Sequence, residues 1–282
     1  MARNRWIAFP HPSNAFDYAG EKLSKNWVTL HAGDQELFPD AKWAAAAQKA
    51  APQPKLKLDA VALASAMQDA WRAFHRGDFA DAFDRGASLG TWGAAVACKA
   101  QGIHAARLID DDKVRAVELK AASDRAALAS SEWPQAANAH YQHAYALGRY
   151  GQTISIAQAL SQGLAGKMKA SLDATLKLAP KHGEAMLALA MYHAEIVAKV
   201  GGMIAGLTYG AKASTAEQHM AAALKLLPQA PIAHIEHGNL LLALYGAKRE
   251  DEAAAAYAKA AAMKPRDAME ALDVAYAKSA IE

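Results

Sequence analysis

Histidines at helical spacing are the first residues of this sequence that could support chemistry. His140 and His143 form an i, i+3 pair, as do His234 and His237, so each pair shares one face of a helix. A zinc site needs three or four converging ligands, and the sequence contains a single cysteine, Cys98. The sequence therefore favours structural histidines over a hydrolase or metal enzyme that would use these pairs.

Two other fragments resemble parts of catalytic motifs but lack essential members. The run Gly163–Met168 contains a Gly-Lys pair, yet it lacks the earlier glycine and the following Ser or Thr of a phosphate-binding loop. Cys98 has only His104 nearby as an activating group, and a buried helical cysteine is the favoured interpretation. We expect no catalytic residue, no metal ligand and no cofactor, and hence a protein that is not an enzyme.

The composition favours a helical protein with a large core. Of 282 residues, 53% are apolar and about a quarter are alanine, which loses no side-chain entropy in a helix. The formal net charge of +3 is small and dispersed, so it gives no support for nucleic-acid binding.

The most apolar window predicts no membrane span. It covers residues 186–207 and includes His193, Glu195 and Lys199, which are costly near the middle of a bilayer. Residues 1–12 lack the apolar run of a signal peptide, and the lone Cys98 fits a reducing compartment. These features predict a cytoplasmic location.

Recurring proline-terminated segments indicate internal repeats. The pattern predicts apolar helices that close with the same type of ending at Leu176–Pro180, Leu224–Pro228 and Ala262–Pro265. The last copy predicts a helical hairpin, with one helix over Pro231–Leu244 and the next over Glu250–Met263. Proline ends the second helix because it has no backbone N–H to donate.

The segment Ala70–Ala82 shows the clearest unit, with Gly77 at the turn between two helices. Small residues recur in later first helices at Ala190 and Gly238. This pattern resembles the tetratricopeptide repeat, a helix–turn–helix unit of roughly 34 residues, and it is similar to divergent bacterial members of that superfamily. The resemblance implies an all-α, helical-hairpin repeat solenoid over residues 58–267, with units at about 60–90, 91–134, 136–181, 184–228 and 231–265.

The regions outside the repeats predict two caps. Residues 268–282 hold a closing helix predicted over Ala268–Ile281, and residues 1–57 form an extension rich in aromatic residues. A helix is expected there from Ser13 through Leu30. The extension either covers the first repeat, occupies the groove, or exchanges between the subunits of a homo-oligomer.

The resemblance also implies an extended concave surface formed by the first helix of each unit. The residues that this register places on the surface are Met67, Trp71, Tyr141, Tyr145, Arg149, Met191, Glu195 and Asn239. Aromatic residues, Met and Arg are enriched at binding surfaces, although the same spacing also fits a core. The implied function is non-enzymatic binding of a protein or peptide partner. The alternative is binding of a small apolar or anionic ligand by the extended unit 184–228.

Overall fold

The computed structural model describes residues 6–282, except for the side chains of Ser13 and Asn14, and the regular structure of these residues is entirely helical. The all-α class predicted from the sequence is confirmed for this part of the chain. The α-helices are α1 (Lys22–Leu30), α2 (Ala41–Ala50), α3 (Ala60–Arg76), α4 (Phe79–Ser88), α5 (Ala94–Leu108), α6 (Asp112–Glu132), α7 (Ala137–Gly151), α8 (Ile156–Ser161), α9 (Leu164–Leu178), α10 (Gly183–Val200), α11 (Gly202–Tyr209), α12 (Ala213–Leu226), α13 (Pro231–Tyr245), α14 (Glu250–Ala261) and α15 (Ala268–Ser279).

Local signals explain where several helices begin and end. The carboxylate of Asp59 accepts a 2.7 Å hydrogen bond from the backbone N–H of Ala62 at the start of α3. The carboxylate of Asp111 caps α6 in the same way. Helix α3 ends at Gly77, whose φ of 92° is readily adopted only by glycine, as the predicted turn requires.

The C-terminal helices match the predicted bounds closely. The three helices expected to end at Leu244, Met263 and Ile281 end at Tyr245, Ala261 and Ser279. The N-terminal prediction is wrong, because Ser13–Phe16 is a separate 3-10 turn and α1 begins only at Lys22.

The chain divides into two compact units, and the first comprises residues 1–31 and 36–164. In this unit, helices α3 to α7 each pack against the next one along the chain, and α5 also packs against α3 and α7. Its largest fully buried side chains include Leu63, Trp71, Phe74 and Leu119. Helices that follow one another in the chain therefore pack together and bury these side chains.

The second unit comprises residues 32–35 and 165–282. Helix α10 packs against α12 and α13, and α13 packs against α14 and α15. A Cβ atom on Gly238 of α13 would lie 3.2 Å from the carbonyl oxygen of Ala253 in α14. The small residues that the sequence places between paired helices thus do allow a close approach.

The packing of neighbouring helices establishes the all-α fold, and the finer architecture stays a prediction. A helical-hairpin solenoid, the tetratricopeptide resemblance and the boundaries after residues 57 and 267 stay predictions. The glycine-rich extension within 184–228 consists of α11 and its two flanking glycines, Gly201 and Gly210, both of which have positive φ angles.

Candidate functional site

A non-helical segment near the N-terminus, residues 6–12 (the arm segment), lies against α4 and α5. The ring centroid of Trp6 is 4.5 Å from that of His104 and 5.3 Å from that of Phe83. The backbone N–H of Ile7 donates a 2.8 Å hydrogen bond to Nε2 of His104. These contacts combine an aromatic side chain with a main-chain hydrogen bond, which is how a groove commonly holds a bound peptide. Residues 1–5 of the predicted extension lie outside the described residues.

Phe9 of the arm segment packs at the turn between α3 and α4. A Cβ atom on Gly77 would lie 2.6 Å from the Phe9 ring, closer than real Cβ atoms approach other atoms. The Phe9 ring also meets the Phe79 ring edge-on, with centroids 6.3 Å apart. The glycine that ends α3 therefore also makes room for the second aromatic side chain of the arm segment.

A buried polar network supports the surface under Trp6. The Arg125 guanidinium lies 4.6 Å from the ring centroid of Phe83, and it donates a 2.5 Å hydrogen bond to Oε1 of Gln101. Nε2 of Gln101 in turn donates a 2.7 Å hydrogen bond to Glu118. This cation fixes the Phe83 ring from one side while Trp6 packs near it, so the aromatic contact is preorganised.

Two of the residues predicted for the concave surface, Met67 and Trp71, are each only 1% exposed. Trp71 is covered by α1 and its C-terminal end, where the rings of Trp27 and His31 lie 5.9 Å and 4.6 Å from its ring. The extension thus packs over this part of the predicted surface. In this structure the two side chains belong to the core and are not open to a partner.

Three predicted residues form a continuous stripe on α7. The rings of Tyr141 and Tyr145 are 6.3 Å apart, and the Arg149 guanidinium lies 5.6 Å from the Tyr145 ring. Tyr141 is buried, whereas Tyr145 and Arg149 are half-buried. The Tyr145 ring lies over Gly102 of α5, where a Cβ atom would come within 2.9 Å of it.

The remaining predicted residues lie in the second unit. Met191 is half-buried and packs against its core, and Glu195 forms a 3.4 Å ion pair with Lys199. Asn239 donates a 2.9 Å hydrogen bond to Glu236 and accepts one from the hydroxyl of Tyr257. The structure therefore brings together the α7 residues, and it gives the other predicted residues separate local roles.

The histidine pairs have structural contacts. Nε2 of His140 lies 2.9 Å from the carbonyl oxygen of Pro134, and Nε2 of His234 lies 3.1 Å from that of Pro228. Each histidine therefore bonds to the turn that precedes its own helix. Among residues 6–282, no group of three or more His, Cys, Asp or Glu side chains is placed to hold a metal ion.

Cys98 is a buried helical residue. Its Sγ lies 3.5 Å from the carbonyl oxygen of Ala122, and burial raises the pKa of its thiol to about 12. The thiol is thus neutral and a poor nucleophile at physiological pH.

A pair of histidines that the sequence did not indicate lies between α10 and α12. The rings of His193 and His219 are parallel, with centroids 6.0 Å apart. Burial lowers the pKa of His193 to about 4, helped by the nearby His219 and Lys169, while Asp173 opposes the shift. Nδ1 of His193 accepts a 3.3 Å hydrogen bond from the backbone N–H of Lys212, so the neutral ring has a defined structural role.

Helix α11 exposes large apolar side chains. Met203 is 80% exposed, Leu207 is 85% exposed, and Ile204 between them is also exposed. No helix within residues 6–282 has both the length and the apolar character needed to cross a membrane. The apolar character of α11 is therefore confined to a short exposed segment.

No protein-family model matches the chain, and no curated protein shows significant similarity to it. The function is therefore inferred from the geometry of the chain itself.

Proposed function

We propose that this protein is a non-enzymatic scaffold of the tetratricopeptide-like class that binds a protein or peptide partner. The contacts of the arm segment carry the proposal. Trp6 and Phe9, three positions apart, reach aromatic contacts on α4, α5 and the α3–α4 turn, and Ile7 adds a main-chain hydrogen bond. A partner segment with two aromatic residues at the same spacing could make the same contacts.

In this proposal the arm segment and the partner compete for one surface. Because the arm segment is tethered, its effective concentration at the surface is in the millimolar range for a short flexible connection. A partner must therefore bind tightly or carry further contacts. The half-buried Tyr145 and Arg149 on α7 are candidates for such contacts, since aromatic rings offer contact area and guanidinium groups offer planar hydrogen bonding.

The proposed setting is the cytoplasm, with the reduced Cys98 as its support. Binding of a small apolar or anionic ligand within 184–228 stays the alternative function.

The test uses a labelled synthetic peptide that corresponds to residues 4–16 and measures its binding by fluorescence anisotropy. In the full-length variant with Trp6→Ala and Phe9→Ala, we expect the arm segment to leave the surface. We expect this variant to bind the peptide at least about tenfold more tightly than the unmodified protein does, because the tethered competitor is weakened.

The matched control is the same peptide with both aromatic residues replaced by alanine. Removing two half-buried aromatic anchors should weaken binding by about thirtyfold or more. If the released variant is folded by circular dichroism and binds both peptides equally, or neither, the proposed use of this surface is wrong.

A further inference from the structure

The exposed apolar side of α11 points to a second surface, beyond the proposed peptide-binding function. Met203, Ile204 and Leu207 are exposed at i, i+1 and i+4, so they share one side of the helix. Adjacent exposed apolar side chains on one side of a helix are a candidate interaction site.

The way α11 is anchored explains why this side faces outward. Ala205 is fully buried, and its carbonyl oxygen accepts a 3.0 Å hydrogen bond from the backbone N–H of Ala211. Gly201 and Gly210 adopt positive φ angles of 78° and 63° at the two ends, which turn the chain into and out of the helix. Helix α11 is thus held against the core at Ala205, and its large side chains point away from the core.

The charged residues nearest to α11 in the sequence are both lysines. Between Glu195 and Glu217 the only charged residues are Lys199 and Lys212, and both are exposed. Lys199 lies one helical turn from Glu195, with which it pairs at 3.4 Å, and Lys212 follows the end of α11. The apolar side chains therefore lie between two lysines and have no carboxylate beside them in the sequence.

The exposed apolar side chains and the two lysines together favour a bilayer over a second copy of the chain as the partner. A second copy of the chain docked through α11 would bring like-charged lysines together, which is unfavourable. Three side chains can also bury only a few hundred Å², below the roughly 800 Å² per partner of a stable protein interface. A bilayer requires no such area, because a short apolar segment can enter the boundary between headgroups and acyl chains while lysines contact anionic headgroups.

We propose that α11, with Lys199 and Lys212, is a docking surface for anionic phospholipid bilayers. Met203, Ile204 and Leu207 enter the boundary between headgroups and acyl chains, and the two ammonium groups stay in the headgroup layer. With one short helix and two charges, the attachment is reversible and sensitive to salt.

The test measures sedimentation of the full-length protein with vesicles of phosphatidylcholine mixed with phosphatidylglycerol. We expect the unmodified protein to bind these vesicles, and Leu207→Asp to lower the partition coefficient about tenfold or more. The matched control is Leu37→Asp, because Leu37 is also an exposed leucine, at 69%, in the first unit. It should bind as the unmodified protein does.

The contribution of charge is tested with Lys199→Gln and Lys212→Gln together, against Lys177→Gln and Lys181→Gln as the control pair. Only the first pair should weaken binding to the anionic vesicles, and vesicles of phosphatidylcholine alone should bind the unmodified protein less. Equal binding to both vesicle types, or an equal effect of both lysine pairs, overturns the anionic specificity that we propose.

A probe that keeps the apolar residues gives an independent readout. Thr208 of α11 and Ser88 of α4 are both exposed, so Thr208→Cys and Ser88→Cys can each be labelled with an environment-sensitive fluorophore while the buried Cys98 stays unreactive. The emission at position 208 should shift to shorter wavelength with anionic vesicles, and that at position 88 should not. No shift at 208, or self-association that Leu207→Asp abolishes, contradicts the proposal and in the second case identifies a second copy as the partner.

Discussion

At the scale of single residues, His193 shows how packing decides the protonation of a side chain. Its imidazole is 3% exposed, stacks on His219 and lies near Lys169, so a proton on the ring would be both desolvated and repelled. The pKa of His193 is about 4 in the folded protein, against about 6.5 in an unfolded chain. Folding therefore has to exclude a proton that the unfolded chain accepts.

This difference predicts that acid weakens the second unit. As the pH falls below about 6.5, the unfolded state binds a proton at residue 193 and the folded state does not, until the pH reaches about 4. The free energy of unfolding should decrease through this window, by about 3 kcal/mol. Urea denaturation followed by circular dichroism at a series of pH values measures the decrease.

The variant His193→Gln isolates this residue, because glutamine keeps an acceptor for the backbone N–H of Lys212 but cannot be protonated in this range. Its stability should depend less steeply on pH than that of the unmodified protein. The matched control His11→Gln replaces an exposed histidine of the first unit and should not reproduce the effect of His193→Gln. A variant at 193 with the full original pH dependence would contradict the assignment.

At the scale of secondary-structure elements, close backbone contact fixes how α4 meets α5. A Cβ atom on Gly86 would lie 2.8 Å from the carbonyl oxygen of Gly93 and 2.9 Å from the backbone nitrogen of Ala97. Gly93 is equally restricted, since its own Cβ atom would lie 2.1 Å from the carbonyl oxygen of Gly86. Because backbone atoms cannot turn aside as a side chain can, the two helices must move apart to admit a methyl group.

We therefore expect Gly86→Ala to lower the free energy of unfolding by about 2 kcal/mol, the usual cost of overpacking. The matched variant is Gly166→Ala in α9, where a Cβ atom meets nothing within 4 Å. It should raise stability by up to about 1 kcal/mol, because alanine is the better helix former. Chemical denaturation of both variants measures these changes in the free energy of unfolding. If Gly86→Ala is as stable as the unmodified protein, the α4–α5 contact is looser than described.

Local sequence signals made the ends of the helices predictable, whereas the sequence did not show which helix faces are buried. Pro231 and the turn at Gly77 act on their own neighbours in the chain, so they fix where helices begin and end. Met67 and Trp71 occur at a spacing that suits either a groove or a core. What buries Trp71 is α1, which is remote in sequence and carries no pairing signal.

The candidate surface also has a part that the sequence indicates and a part that it does not. Tyr141, Tyr145 and Arg149 could be grouped from the sequence because they lie on one helix at intervals of one turn. The contacts of Trp6 with His104 and of His193 with His219 join different elements, and no periodicity indicates them.

At the scale of the whole molecule, the aromatic residues are distributed unevenly between the two units. The chain has six tryptophans, and all of them lie in the first unit: Trp6, Trp27, Trp43, Trp71, Trp92 and Trp133. The core of the second unit relies on leucine, methionine and closely packed alanine, such as Leu240, Met220 and Ala216. Tryptophan fluorescence therefore reports on the first unit alone, while circular dichroism reports on the helices of both.

Each unit has its own buried core, so we expect each to unfold in a transition of its own. Leu240→Ala, at a side chain 1% exposed in α13, should destabilise the second unit by about 3 kcal/mol. Its unfolding curve by circular dichroism should shift while the midpoint seen by tryptophan fluorescence stays in place. The matched variant Leu119→Ala, at a fully buried leucine of α6 in the first unit, should shift the fluorescence midpoint instead. If either variant shifts the midpoints of both probes equally, the two cores unfold as one cooperative unit. A substitution in either core would then weaken both the arm-segment surface and α11.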